Sequence, residues 1–223
     1  MDINSPKFND NRHYDYTDYP DENRAEYQLI LSMIDTGSSV IDLGCGNGSL
    51  LQMVRDRKKS PVCGVELSKT GVGVCKNKGL DVIEGKIDEV LPFADKSFDY
   101  AVCNVTIQMV SYPEVLLAEM KRIAQKLIIS FPNFGFYKNR MDMLTKGRMP
   151  KPMLFGYSWY STGHIHQLSI ADFYELVDSV GGLQITQADF ADPTQGLKRQ
   201  LQRMAPNLFQ LLPVFLLTTN TKE

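Results

Sequence analysis

Val40-Ile41-Asp42-Leu43-Gly44-Cys45-Gly46-Asn47-Gly48 decides the architecture of this 223-residue chain. An apolar pair runs into an acid, and glycines then alternate with small or polar residues. Ser49-Leu50-Leu51-Gln52-Met53-Val54 follows and reads as the opening of a helix. A buried strand, a tight turn and a helix N-terminus in that order let backbone approach a ligand closely. The acid comes before the first glycine. A Gly-rich turn that cradles a diphosphate would be spoiled by a carboxylate at its mouth, whereas a ligand carrying an ammonium group and a ribose would accept it. The spacing Gly44-x-Gly46-x-Gly48 also lacks the Gly-x-Gly-x-x-Gly of dinucleotide sites, which counts against an NAD-dependent enzyme.

Working outward, Val62-Cys63-Gly64-Val65 forms a second short apolar run ended by Glu66. An acid at that tip, with Leu67 beside it, can accept hydrogen bonds from ribose hydroxyls. Leu80 to Glu84 makes a third strand, and Gly85-Lys86-Ile87-Asp88 is the turn after it. Phe98 to Asn104 makes a fourth strand and Lys126 to Phe131 a fifth, closed by Pro132-Asn133. Helices are expected over Ser49–Arg57, Ser68–Lys78 and Tyr112–Ala124. Leu183–Phe190 and Pro213–Thr218 read as the last two strands, an antiparallel pair at one sheet edge, with a short helix over Gly196–Met204. Alternating strands and helices argue an α/β fold, a mostly parallel seven-stranded sheet with helices on both faces. Ligands of such sheets sit beyond the carboxyl ends of the strands, where Asp42, Glu66, Lys86 to Asp88 and Asn104 all fall. S-adenosylmethionine carries both the ammonium and the ribose that these residues suit.

The glycine turn, Glu66 and the Pro92-Phe93…Lys96-Ser97-Phe98-Asp99 approach resemble the class I S-adenosylmethionine-dependent methyltransferases, with their Rossmann-like fold. A more specific resemblance runs through Ser130-Phe131-Pro132-Asn133-Phe134-Gly135, Gly147-Arg148-Met149-Pro150, Tyr157-Ser158-Trp159-Tyr160 and His164-Ile165-His166. Those segments are similar to the methionine-biosynthesis family MetW. The resemblance implies S-adenosylmethionine as cofactor, with S-adenosylhomocysteine as product, and a role beside homoserine O-acyltransferase in methionine synthesis. It implies no particular methyl acceptor, and a small molecule and a protein both stay open. The cofactor contacts expected on this basis are Asp42, Gly44, Cys45, Gly46, Asn47, Gly48, Glu66, Leu67, Lys86, Ile87, Asp88 and Asn104. Where the family carries Gly-Asp after the third strand, this chain has Gly85-Lys86. An ammonium offers the adenine amine no acceptor, so Asp88 or the backbone around Ile87 is left to take that contact.

Candidates on the acceptor side are Asn104, Gln108, Asn133, Tyr160, His164 and His166. Each also has a plain structural reading: a turn cap for Gln108, a turn after Pro132 for Asn133. The two histidines flank an isoleucine, so on a strand they would share one side. Two histidines with no third ligand do not make a metal site. The absence of Asn-Pro-Pro-Tyr after the fourth strand counts against methylation of an amide or adenine nitrogen.

The length suits one domain. Residues 1–20 form a polar arm, mobile or a lid over the ligand. Residues 21–223 form a single methyltransferase-like domain with an insertion at 134–168. Within this domain, Pro20-Asp21-Glu22 opens a helix to about Ile34 with Tyr27, Ile30, Leu31 and Ile34 on one face, and Ser169 to Asp172 resembles a capping box for a helix ended by Gly181. The insertion holds a basic cluster, Lys138, Arg140, Lys146, Arg148 and Lys151, and aromatic bulk that suits packing on the core, a homodimer or another partner. The net charge of −2 points to neither nucleic acid nor membrane. No apolar run approaches the roughly 20 residues of a membrane helix, and no secretion leader opens the chain. Cys45, Cys63, Cys75 and Cys103 form no Cys-x-x-Cys pair, so buried thiols in a reducing cytoplasm are expected. Two readings follow: a methyltransferase, or a non-catalytic partner of the acyltransferase.

Overall fold

A computed structural model describes residues 15–17, 20, 23–150, 159, 163–191 and 197–220. Its strands are β1 (Val40–Leu43), β2 (Val62–Glu66), β3 (Asp81–Glu84), β4 (Phe98–Asn104), β5 (Ala124–Ser130), β6 (Leu183–Phe190) and β7 (Pro213–Thr219). They form one sheet in the order β3-β2-β1-β4-β5-β7-β6. The first five run parallel, with Asp42 in register with Gly64 on one side and Val102 on the other. β7 inserts antiparallel between β5 and β6, with a bulge between Ile185 and Gln187. This is the sheet expected from the sequence, antiparallel last pair included. The chain reverses its direction of travel across the sheet between β1 and β4, the switch point where α/β sheets open a crevice.

Both faces of the sheet are covered, which is why the central strands are apolar almost without interruption. Alternate residues go to opposite faces. Ile41, Leu43, Ala101, Leu127 and Ile129 join a cluster with Leu117, Phe131, Phe173 and Phe215. Val40, Tyr100, Val102 and Ile128 join another, with Tyr27 and Ile30 from the first helix, Ile34 just after it and Val54 from the second. Asp42, two residues after Val40, belongs to this second face.

Helices α1 (Ala25–Met33), α2 (Ser49–Lys58), α3 (Lys69–Asn77), α4 (Pro113–Ile123), α5 (Tyr137–Lys146), α6 (Ile170–Val180), α7 (Leu197–Met204) and the single turn α8 (Pro206–Phe209) surround the sheet. Several ends follow from sequence signals. Pro113 starts α4, where its missing N–H costs nothing. Ser169 accepts from the Asp172 amide while the Asp172 carboxylate accepts from the Ser169 amide, so the expected capping box forms. α1 begins later than expected, because Arg24 is still extended, with φ −85° and ψ 154°. The Pro20 carbonyl is instead drawn onto the glycine turn by the Asn47 amide.

The insertion contains α5, closed by Gly147 in the left-handed conformation. Among its side chains only Asn139 is buried, while Met141 is 50% and Leu144 79% exposed, so this helix does not bury its apolar side chains in the core. His164 to Ser169 has no regular structure, so the strand alternation suggested for His164 and His166 is not realised. The amides of Ile165 and His166 both donate to the Gln108 carbonyl, at 3.0 Å each.

Candidate functional site

The carboxyl end of β1 runs straight into the glycine turn. Gly44, at φ +83°, could not carry a side chain, since a Cβ there would meet Thr106 Cγ2 at 2.6 Å. Gly48, at φ +74°, is the N-cap of α2 and faces Leu80 and Cys75 as closely. The turn is therefore clamped between the β4 loop and α3, with its backbone close-packed at the crevice. Cys75 Sγ donates to the Gly46 carbonyl at 3.4 Å, and Cys45 lies buried in the cluster beside it. All four cysteines are buried free thiols.

Asp42 lies at the mouth of this turn, 3% exposed, and its Oδ1 has no hydrogen-bond partner among the described residues. Burial lifts its carboxyl to about 7; the charge of Glu66 adds to the rise, and that of Arg24 opposes it. A buried carboxylate left unpaired is costly, and it is a common mark of a site built to receive something. Glu66 is buried too, but bonded: Oε2 accepts from the Gly46 amide at 2.7 Å and Oε1 from the Ser68 amide at 2.8 Å. It thereby ties the tip of β2 to the turn. Leu67 follows it, half-buried.

The other expected cofactor contacts have the following surroundings. Asn47 spends its side chain on the scaffold, accepting from Ser49 N and Oγ and donating to the Pro20 carbonyl. Lys86 is exposed and 3.5 Å from Glu89. Ile87 is buried in the core cluster. Asp88 accepts from the amides of Ser111 and Tyr112 at 2.9 and 3.1 Å, which fastens the entry to α4. Its Oδ2 is thus given to main chain rather than to an adenine edge.

The end of β4 is strained. Val105 sits at φ +53°, a region costly for a β-branched residue. Its amide donates to Ser130 O and Oγ, its carbonyl accepts from Gln108 Nε2, and Thr106 Oγ1 donates to the Asn104 carbonyl. Asn104 Oδ1 accepts from Ser130 Oγ. Strain of this kind persists only where neighbours over-determine it, and it gathers at functional sites. Gln108 is buried on a 3₁₀ turn (Ile107–Met109), and its Oε1 has no partner among the described residues. Asn133 has a different lot. It is fully buried, donates to the carbonyls of Asn207 and Gln210, and accepts from the amides of Gly135 and Ile170. Its amide is committed to joining β5, α6 and α8. His164 is half-buried and His166 exposed. Tyr160, Lys151 and most of the 1–20 arm lie outside the described residues.

Val105, Thr106, Tyr16 and Arg24 were not singled out by the sequence. Thr106 carries no signal of its own, since its importance comes from filling the space that Gly44 leaves. Among the described residues no group of His, Cys, Asp and Glu could hold a metal ion, and no helix is long and apolar enough to cross a membrane. A cleft of about 300 Å³ lies elsewhere, lined by Tyr174, Phe190 and Arg203 among others, with no residue from β1–β4.

The family described as methionine biosynthesis protein MetW matches residues 24–217. The bifunctional methionine biosynthesis protein MetXA/MetW of Rhodopirellula baltica is 38% identical over 193 residues; the match covers 82% of this chain and 30% of that protein's length. Among solved structures, a Mesorhizobium loti S-adenosylmethionine-dependent methyltransferase superposes with a TM-score of 0.61 at 16% identity, covering 88% of this chain and 98% of that one. Geranyl diphosphate C-methyltransferase of Streptomyces coelicolor, solved with S-adenosyl-L-homocysteine, gives 0.63 at 12% identity, covering 87% and 78%. At such identities these structures share the fold.

Proposed function

Because the chain belongs to the MetW family, we propose that it binds S-adenosylmethionine at the carboxyl ends of β1, β2 and β4 and passes its methyl group to an acceptor. The buried, partnerless Oδ1 of Asp42 at the mouth of the glycine turn carries this reading. An ammonium placed there would supply the missing partner and favour the ionised carboxylate. The neighbouring Glu66 suits ribose hydroxyls, and the close-packed turn offers backbone with no side chain of its own at Gly44, Gly46 and Gly48. A diphosphate would meet two buried acids instead of the donors it needs.

When bound, S-adenosylmethionine supplies a methyl group already activated by its sulfonium. The protein's own part is alignment, which can contribute about 7–11 kcal/mol. Asp42 would hold the ammonium of the ligand and Glu66 its ribose hydroxyls. The strained Val105 and the carbonyl it gives to Gln108 Nε2 hold the β4 loop in one shape. Gln108 Oε1 is then available to accept a hydrogen bond from an acceptor's N–H or O–H and so orient its lone pair. An amide cannot take the proton, so Gln108 is a positioning residue.

A second reading has an observation behind it. The Rhodopirellula relative joins MetXA and MetW in one name, which favours a homoserine O-acyltransferase as partner, with the exposed Met141, Leu144 and basic residues of α5 as a face for it. The two readings separate in one experiment. Thermal unfolding is followed with S-adenosylmethionine, S-adenosylhomocysteine and NAD. The methyl products are then measured with the acyltransferase present. Stabilisation by both adenosyl ligands and none by NAD supports the binding reading, since a ligand at about 100 times its Kd adds roughly 2.7 kcal/mol. Stabilisation by NAD, or by no ligand, refutes it. Binding with a stable acyltransferase complex but no S-adenosylhomocysteine formed would favour the partner role.

A further inference from the structure

We propose that the cleft of about 300 Å³ between α6, the β6–β7 edge and the α7–α8 segment binds a small carboxylic acid that has an apolar side chain and a hydroxyl or amino group next to its carboxylate. Arg203 holds the carboxylate, Gln210 the neighbouring O–H or N–H, and Phe190 and Phe215 the apolar body. This site is separate from the glycine turn, since β4 and β5 lie between β1 and the β7–β6 pair that floors the cleft.

Alternation along β6 decides what the floor is made of. Ala188 is in register with Phe215 and Phe190 with Pro213, so these side chains share the sheet face on which Phe215 packs against Phe173 of α6. Ile170 and Phe215 are buried there, and the Tyr174 ring meets Phe215 edge-on at 6.0 Å. Asp189 also borders the cleft, but it is in register with Val214, which belongs to the opposite face. Its carboxylate accepts from Gln187 Nε2 at 2.8 Å on that side. It therefore contributes main chain and brings no negative charge into the cleft.

Two polar side chains line this apolar floor with bonding capacity left over. Gln210 is only 5% exposed, and its main chain is committed. Its amide donates to the Pro206 carbonyl, and its carbonyl accepts from Asn133 Nδ2 at 2.7 Å. The side chain is held as well, because Nε2 donates to the Gln202 carbonyl at 3.1 Å. A carbonyl can only accept, which fixes the orientation of the Gln210 amide and leaves Oε1 pointing elsewhere. That Oε1 has no hydrogen-bond partner among the described residues, and a nearly buried acceptor left open is costly until something fills it. Arg203, on α7, likewise makes no hydrogen bond or ion pair among the described residues.

These groups select the ligand. A guanidinium offers its N–H donors in a rigid fork that matches a carboxylate with two bonds. Gln210 Oε1 can only accept, so the ligand must carry an O–H or N–H of its own. Together they read a carboxylate with a donor beside it, which simple fatty acids lack and 2-hydroxy and 2-amino acids have. The phenyl rings, Ile170 and Pro206 take the apolar remainder. A volume of about 300 Å³ stands at the small end of ligand pockets, right for one such acid rather than for an adenosyl compound.

The test is calorimetry on the full chain with four probes. Phenyllactate and phenylalanine have every feature, phenylpropionate lacks the donor beside the carboxylate, and phenyllactamide lacks the carboxylate. One or both of the first two should bind, the better of them showing which donor Gln210 prefers. Phenylpropionate should bind about 5-fold more weakly and phenyllactamide about 10-fold or more. Arg203→Gln should bring the acid down to the level of the amide, and Arg203→Lys should recover part of the loss. Ala188→Trp, which fills the cleft from an exposed strand position, should abolish binding of all four while S-adenosylhomocysteine still binds. Circular dichroism confirms that the variants fold. A wild type that takes neither acid, binding that survives Ala188→Trp, phenylpropionate binding as tightly as the better acid, or a preference for acid over amide that survives Arg203→Gln would overturn the assignment, and none of these touches the S-adenosylmethionine reading.

Discussion

Replacing Asp42 by Asn should stabilise the ligand-free protein, by an amount that grows with pH. In the fold, burial first and the charge of Glu66 second hold the carboxyl at about 7, against 3.8 in its ordinary setting. A carboxyl whose folded pKa lies above its unfolded one keeps its proton in the fold while the unfolded chain gives it up. Stability therefore falls as pH rises between the two values and levels off above the folded one. About three pH units at 1.36 kcal/mol each put the penalty near 4 kcal/mol at pH 8 and about 1.5 kcal/mol at pH 5. An amide of the same shape carries none of it. Urea unfolding at the two pH values should show Asp42→Asn ahead of the wild type at both, with an advantage about 2.5 kcal/mol larger at pH 8. The same variant should bind S-adenosylhomocysteine more weakly, because a strained functional site trades stability for function. An advantage equal at both pH values, or a variant less stable at pH 8, would refute the idea that an unpaired carboxylate is buried here.

Three other substitutions probe the frame around it. Gly44→Ala places a methyl 2.6 Å from Thr106 Cγ2 at a positive φ, and should cost about 2–4 kcal/mol by urea unfolding; adding Thr106→Ala should restore only the steric part. Glu66→Gln leaves one of the Gly46 and Ser68 amides facing an amide N–H, so S-adenosylhomocysteine affinity should fall by about 1–3 kcal/mol in a titration, and unchanged affinity would remove Glu66 from the ribose site. Asn133→Ala breaks four hydrogen bonds of a fully buried side chain and should lower stability by about 2–4 kcal/mol, with ligand affinity preserved in the folded fraction; a stable variant that loses affinity would return Asn133 to the site.

The sheet was legible because its signals are local and periodic. The Val40 and Phe98 runs are long enough in apolar residues to be buried on both faces, and Ser169 with Gly181 punctuates α6 clearly. The glycine turn and Glu66 were legible for a related reason: turn chemistry and a charge at a strand tip show in a few adjacent residues. Side-chain direction was not. Lys86, Asp88 and Asn133 lie in the segments expected to bind, yet Asp88 fastens the turn before α4 and Asn133 fastens α8, partners 23 and more residues away in sequence. Tyr16 and Arg24 were hidden for the opposite reason. They sit in a polar stretch without periodicity, and only the folded chain brings them to Gly46 and to the face that bears Asp42. The strain at Val105 has no sequence signature at all, since valine is an ordinary residue for the end of a strand.

The account turns on Asp42 meeting a ligand's ammonium, and proton release on binding reports that meeting directly. S-adenosylhomocysteine is titrated into the wild-type chain at pH 6 in two buffers of different ionisation enthalpy. With its carboxyl near 7, Asp42 is mostly protonated beforehand, and an ammonium arriving beside it should expel that proton, so nearly one proton should be released per ligand bound. Heats that do not depend on the buffer, or no binding at all, would contradict it.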